Sequence, residues 1–282
     1  MKLVRFGPAH QERPGLVDDD GSIVDISSVI SDVEGLNLSR EVLARINDSE
    51  IDQLPKVKDG VRLGPCVAHV GKIVCVGRNY AEHAAEAGKS VGEEPVIFFK
   101  STGAIVGPND SVVIPRGSVK TDWEVELGVV IGTKATYVDE SNAMEHVAGY
   151  CVVNDVSERE FQLERQGQWV KGKSCDTFAP IGPWLVTADE VPDPQQLEIW
   201  LDVNGERRQD SSTAKMVFGV RYLISYISQF MSLNPGDIIS TGTPEGVGLG
   251  QKPPVYLRPG DVMDLGIEGL GQQCQEVVSY GS

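Results

Sequence analysis

Asp122-Trp-Glu124-Val-Glu126-Leu-Gly-Val-Val-Ile131 opens on acids and runs on as an unbroken apolar stretch. Its length and β-branched content predict a buried strand. Strand side chains alternate between faces, so Glu124 and Glu126 point one way and Val125 and Leu127 the other. Two carboxylates ~4 Å apart repel by about 4 kcal/mol at an effective dielectric of ~20. If that face is inside the fold, it needs a cation or a raised pKa on one acid. If it is outside, it is an acidic strand face in water.

A second apolar run, Gly149-Tyr-Cys-Val-Val-Asn154-Asp155, also ends on an acid. Carboxylates at the ends of two buried strands would form an oxygen-only pocket. Glu124, Glu126 and Asp155 suit Mg²⁺ or Mn²⁺, and Ca²⁺ stays open; Zn²⁺ and copper favour His and Cys. The four histidines, His10, His69, His83 and His146, lack ligand-like spacing.

Outward from this centre, short β-branched runs recur at Lys72–Val76, Val96–Phe99, Val112–Ile114, Glu198–Val203, Asp237–Ser240 and Val262–Ile267. Gly, Pro, Asn and Asp separate them. Tyr222–Met231 has apolar residues at helical spacing. Residues 1–65 read as a small α+β unit, with strands at Lys2–Phe6, Gly15–Val17 and Ile23–Ile26 and a helix through Ser39–Ile46. Asp18-Asp19-Asp20-Gly21 is a hairpin signal between two of those strands. Leu63-Gly-Pro marks a boundary, leaving residues 66–282 as the larger domain. The expected class is mainly β with some α, not a regular βαβ alternation.

The chain has 282 residues and a formal charge of −16, spread along its length: residues 1–65 carry 8 basic and 12 acidic side chains. So negative a surface disfavours nucleic acid and anionic membranes as partners. No run approaches a membrane span, and Met-Lys-Leu-Val-Arg-Phe-Gly-Pro lacks the apolar core of a signal peptide. Five cysteines, none spaced C-x-x-C, read as thiols in a reducing compartment. A cytoplasmic enzyme is expected.

Two further segments carry chemistry. Asn79-Tyr-Ala-Glu82-His83-Ala-Ala-Glu86-Ala-Gly88 has the punctuation of a short helix, with Asn79 and Glu82 as a capping box and Gly88 as the stop. His83 and Glu86 then lie on one face, where the carboxylate can orient the imidazole as a general base; an exposed surface pair is the alternative. Gly167-Gln-Trp-Val-Lys-Gly-Lys173-Ser174 matches the phosphate-loop pattern. Its context argues against a nucleotide-binding module. No strand precedes it, Trp169 sits where backbone should wrap phosphate, and Pro180 and Pro183 bar a long helix. Lys173 reads instead as a lysine near a cation and an anionic substrate, or as a surface lysine.

Taken together, Gly77-Arg-Asn-Tyr80 with His83 and Glu86, Trp123-Glu124-Val-Glu126-Leu-Gly, Asn154-Asp155, Gly172-Lys173-Ser and Gly236-Asp-Ile-Ile-Ser-Thr-Gly-Thr-Pro244 resemble the fumarylacetoacetate hydrolase superfamily. The likeness runs from about Gly71 to the C-terminus. It implies a mixed β-roll catalytic domain, a homodimer, and Mg²⁺ or Mn²⁺ on Glu124, Glu126 and Asp155. It also implies a lid helix bearing His83 and Glu86, and active-site roles for Gln162 and Lys173. Val170–Val186 is similar to the bacterial branch acting on 2,4-diketo-3-deoxy sugar acids. The expected reaction is C–C hydrolysis of 2,4-diketo-3-deoxy-L-rhamnonate or L-fuconate to pyruvate and lactate. A ureidoglycolate lyase, an oxaloacetate decarboxylase or a tautomerase on the same metal site is the alternative. A hydroxylated tail would be held by Arg78, Tyr80, Ser212, Thr241 and Thr243.

Overall fold

The computed structural model describes residues 1–18, 20–47 and 51–281. Val125–Ile131 is the strand expected, buried at every position. It lies between Val147–Asn154 and Ile238–Ser240, antiparallel to both. A strand flanked and covered on both sides is apolar on both faces, which is why its sequence reads as a continuous run. Only its first residues depart from that pattern, and they are the acids.

The large sheet has ten strands, with Ile73–Gly77 and Val96–Lys100 beyond Ile238–Ser240 on one side. On the other side Ala179–Thr187 pairs with Val147–Asn154. Lys2–Phe6 then joins the outer edge of Ala179–Thr187, Lys2 opposite Val186, and carries Arg13–Val17 and Ile23–Asp25 with it. The first 65 residues therefore extend the main sheet and do not build one of their own. Leu3, Ile26, Leu38 and Ile46 share one buried cluster with Leu127 and Ile131. Asp19 of the Asp18–Gly21 hairpin signal lies outside the described residues; the carbonyl of Asp18 accepts from the amide of Gly21.

A second sheet has five strands in the order Glu206–Ser212, Glu198–Val203, Val262–Ile267, Gly271–Ser279 and Val112–Ile114. Gly271–Ser279 packs against the first sheet: Gln273 donates to the carbonyls of Val152 and Gly182. The helix expected at Tyr222–Met231 runs from Val220 to Ser228, burying Leu223, Ile224 and Ile227. The result is mainly β, with mixed sheets and few helices. No helix among the described residues is long and apolar enough to cross a membrane.

The capping box at Asn79 is not formed. The helix spans Ala81–Glu86, with Tyr80 at its N-cap and no side-chain cap. Asn79 is buried, and its amide donates to Phe218 and Thr241 carbonyls while its oxygen accepts from Phe218 N–H. A buried amide with three long-range hydrogen bonds outweighs one cap worth ~1 kcal/mol. Gly88 does stop the helix, at φ +67°.

Candidate active site

Where Val125–Ile131 begins and Val147–Asn154 ends, Glu124, Glu126 and Asp155 converge. Each offers a carboxylate oxygen within 4.8 Å of the others, and all three residues are buried. Acids so close and so dry are held by what surrounds them. Lys173 Nζ bridges Glu124 Oε2 at 2.5 Å and Asp155 Oδ2 at 2.7 Å. Lys100 Nζ lies 2.5 Å from Asp155 Oδ1 and donates to the carbonyl of Val156. Arg159 Nη2 stands 2.7 Å from Glu124 Oε1. Glu126 Oε2 accepts from the Ser240 hydroxyl and the Gly242 amide.

The electrostatics follow from this geometry. Burial works to raise Glu124, yet the charges of Lys173 and Arg159 outweigh it and hold the carboxyl well below the usual range. Glu126 has no ion pair among the described residues: burial, with the charges of Asp155 and Glu124, outweighs that of Lys173 and pushes it up to about 8. Burial works to lower Lys173, but Asp155 and Glu124 keep it protonated beyond the ordinary lysine range. An oxygen-only, buried donor set with one carboxylate short of positive charge fits a hard divalent cation.

Glu124 and Glu126 line a cavity of about 110 Å³, and Asp155 lies behind Lys173, which lines it too. His83, Gln162, Arg78 and Thr243 line it with Lys173, and Val76, Phe98, Leu163, Trp169 and Leu249 supply apolar wall. His83 Nδ1 meets Glu86 Oε1 at 3.0 Å, and Glu86 Oε2 accepts from the amide of Gly246. The short helix is thereby tied to the 241–250 loop. That loop is set by a residue whose role sequence reasoning missed: buried Asp122 accepts from the amides of Trp123, Gly248 and Leu249 and from Arg159 Nε. Arg159 in turn donates to Gln162 Oε1. Lys100 and Arg159 were also missed. They lie 55 and 35 positions from Asp155 and Glu124, and only the fold joins them.

Three of the five expected tail contacts lie elsewhere. Thr241 spends its hydroxyl on the carbonyl of Leu127. Ser212 accepts from Ala214 N–H at the edge of the second sheet. Tyr80 is fully buried, its hydroxyl has no partner among the described residues, and burial, with the charges of Glu126 and Glu245, pushes its phenol far up. None of the three lines the cavity, whereas Arg78 and Thr243 do. Gly167–Ser174 contains one helical turn, Val170–Lys173, and buries Lys173 against the acids, so no phosphate cradle forms there. A larger groove of about 990 Å³, lined by Met1, Tyr150 and Tyr222 among others, holds none of these residues.

This arrangement has a known counterpart. Residues 72–278 match the family described as fumarylacetoacetate (FAA) hydrolase C-terminal. The chain belongs to that family and is an enzyme of the hydrolase class. Among its relatives is a Burkholderia lata protein, 59% identical over 276 residues and 98% of each chain, whose name states a hydrolase without a substrate. Among solved structures, fumarylacetoacetate hydrolase from Exiguobacterium antarcticum aligns with TM-score 0.87 at 38% identity over 99% of each chain. Maleylpyruvate hydrolase from Sphingobium sp. SYK-6, in complex with manganese(II) and pyruvate, aligns with TM-score 0.81 at 32% identity over 99% of each chain.

Proposed function

We propose that this chain is a Mg²⁺- or Mn²⁺-dependent hydrolase that splits the C3–C4 bond of a 2,4-dioxo acid and releases pyruvate. The observation that carries the reading is the convergence of Glu124, Glu126 and Asp155 beneath a cavity that His83 faces. A relative solved with manganese(II) and pyruvate adds support from outside the chain.

Glu124, Glu126 and Asp155 would hold the cation, and the cation supplies Lewis acidity to the oxo-acid end. Glu86, bound to Nδ1 of His83 and braced by Gly246, leaves Nε2 to take a proton from water. The hydroxide attacks C4; the C3–C4 bond breaks and its electron pair goes to the three-carbon fragment as pyruvate enolate. Lys173, kept protonated by its neighbours, stabilises that charge. Gln162 gives its oxygen to Arg159 and so offers the cavity its amide N–H groups.

A sugar-acid tail, as in 2,4-diketo-3-deoxy-L-rhamnonate or L-fuconate, is the narrower form of this reading. It lacks the hydroxyl-binding set it called for, since Tyr80, Ser212 and Thr241 lie outside the cavity. The same reading takes the working unit as a cytoplasmic homodimer. The test is turnover with Mn²⁺ and with excess EDTA, read as pyruvate from acylpyruvates, diketo sugar acids and oxaloacetate and as glyoxylate from ureidoglycolate. Highest kcat/KM on a 2,4-dioxo acid, lost in EDTA, is expected; higher kcat/KM on oxaloacetate or ureidoglycolate refutes the hydrolase.

A further inference from the structure

A groove of about 990 Å³ lies between the helix Arg40–Asn47, the 187–195 segment and the start of the helix Val220–Ser228. The proposed reaction makes no use of it. Tyr150 lines it from the buried strand Val147–Asn154 and is only 1% exposed. Its hydroxyl has no hydrogen-bond partner among the described residues. Burial pushes the phenol far up against the opposing charge of Arg221, so the hydroxyl keeps its proton and can donate. A polar group set so deep is ordinarily partnered. Here the partner has to come through the groove.

Arg221, whose charge reaches that hydroxyl, stands in the first turn of Val220–Ser228. Its own amide and that of Tyr222 have no partner among the described residues, and Gly219 at the N-cap supplies no side-chain cap. Free amides at a helix start favour an anion. The wall beside them is braced. Gln195 Oε1 accepts from the Val220 amide at 2.6 Å, Gln195 Nε2 donates to the Thr213 carbonyl, and the Gln195 amide donates to Asp193 Oδ1.

The rest of the lining limits the ligand. Arg40 and Arg221 have no ion pair among the described residues, whereas the amine of Met1 is spent on Thr187 Oγ1 at 2.7 Å and Glu190 at 3.2 Å. Glu140, Asp189 and Asp193 also line the groove, so a second negative charge on the ligand meets repulsion. Leu43, Ala44, Met144, Val191 and Pro192 give it an apolar side. Tyr150 and Asp155 are five residues apart along one extended stretch, roughly 16 Å, so this place is separate from the acid cluster.

We propose that the groove is a second binding site, for a monocarboxylate with an apolar body. The carboxylate accepts from the Tyr150 hydroxyl, the Arg221 guanidinium and the free helix amides, and the body lies on the apolar side. Charge-assisted hydrogen bonds of this kind support a preference of about ten- to a hundredfold over a neutral analogue.

The probes are octanoate, octanamide and octanedioate, titrated by calorimetry into protein holding Mn²⁺ and excess oxalate, which keeps the acid cluster occupied. Octanoate should bind at least ten times more tightly than either of the others. Arg221→Gln, at an exposed position, should remove most of that preference, and Tyr150→Phe, which keeps the ring, should weaken octanoate about tenfold. Chelator-stripped protein should bind octanoate as well as the loaded protein does, so the result is independent of the metal assignment. No binding of octanoate, equal binding of octanamide, or an affinity unchanged in both variants overturns the proposal. Octanoate that binds only when oxalate is left out belongs to the acid cluster and overturns it too.

Discussion

Asp122 touches no substrate atom on this account, yet it should be among the least replaceable side chains. Both its oxygens are used: Oδ1 accepts from Gly248 and Trp123 amides at 2.7 and 2.9 Å, Oδ2 from Leu249 N–H and Arg159 Nε at 2.9 and 2.8 Å. Its side chain is fully buried and that of Arg159 is 5% exposed. Asp122→Ala removes one partner of a buried ion pair, which typically costs about 3–5 kcal/mol. It also orphans three amides, at ~1–3 kcal/mol for each that water cannot reach. Arg159 keeps Glu124, and the loop can relax toward solvent, so about 3–5 kcal/mol is the expected total. A protein of this size loses roughly 2–4 °C in Tm per kcal/mol, giving a fall of ~6–20 °C. Asp122→Asn keeps one acceptor oxygen and should lie between the two. Because the same loop carries Gly246 against Glu86, kcat should fall in the folded variants as well. Thermal unfolding by circular dichroism, with kcat measured well below Tm, checks both. A Tm within 2 °C of wild type for Asp122→Ala would refute the claim that this carboxylate organises the 241–250 loop.

The other expectations concern individual roles. His83→Ala should lower kcat for hydrolysis by about 10²–10⁴ while leaving Mn²⁺ affinity nearly intact; unchanged turnover would reduce the His83–Glu86 pair to a surface contact. Lys100→Met removes the buried ammonium that fixes one oxygen of Asp155. Loss of such support typically weakens metal binding about 10–100-fold, and calorimetric titration would detect it. Gly250→Ala puts a Cβ 2.5 Å from the Glu86 carboxyl group, which is the movable end of a side chain. It should shift Glu86 and lower kcat several-fold with little change in Tm; a kcat equal to wild type would show that the position of Glu86 is unimportant.

The acidic strand was legible because its signal is local: two acids at strand spacing, followed by five residues too apolar for the surface. Asp155 was legible for the same reason, at the end of Val147–Asn154. Ala179–Thr187 was not, since Pro180, Gly182 and Pro183 argue against a central strand. Its register with Val147–Asn154 shifts between Tyr150, opposite Val186, and Val152, opposite Gly182, so Pro183 falls at an irregularity in the ladder. Gly271–Ser279 was hidden by inverted polarity: Gln273 and Gln275 point inward and bind backbone carbonyls, so alternation gave no apolar face. Glu206–Ser212 is polar because it is an edge strand. Asn79 misled because an N-cap and a buried loop tie call for the same residue. Lys100 and Arg159 carry no local mark; they answer charges that lie far away in sequence.

The central claim is that Glu124, Glu126 and Asp155 hold one catalytic cation. Its most direct test is to titrate chelator-stripped protein with Mn²⁺ by calorimetry while following pyruvate release from a 2,4-dioxo acid, in wild type and Glu126→Gln. Wild type should bind one Mn²⁺ per chain with activity returning in step, and Glu126→Gln should bind far more weakly and remain inactive at the same Mn²⁺ concentration. Full turnover in excess EDTA, or Mn²⁺ bound as tightly by Glu126→Gln as by wild type, would contradict the account.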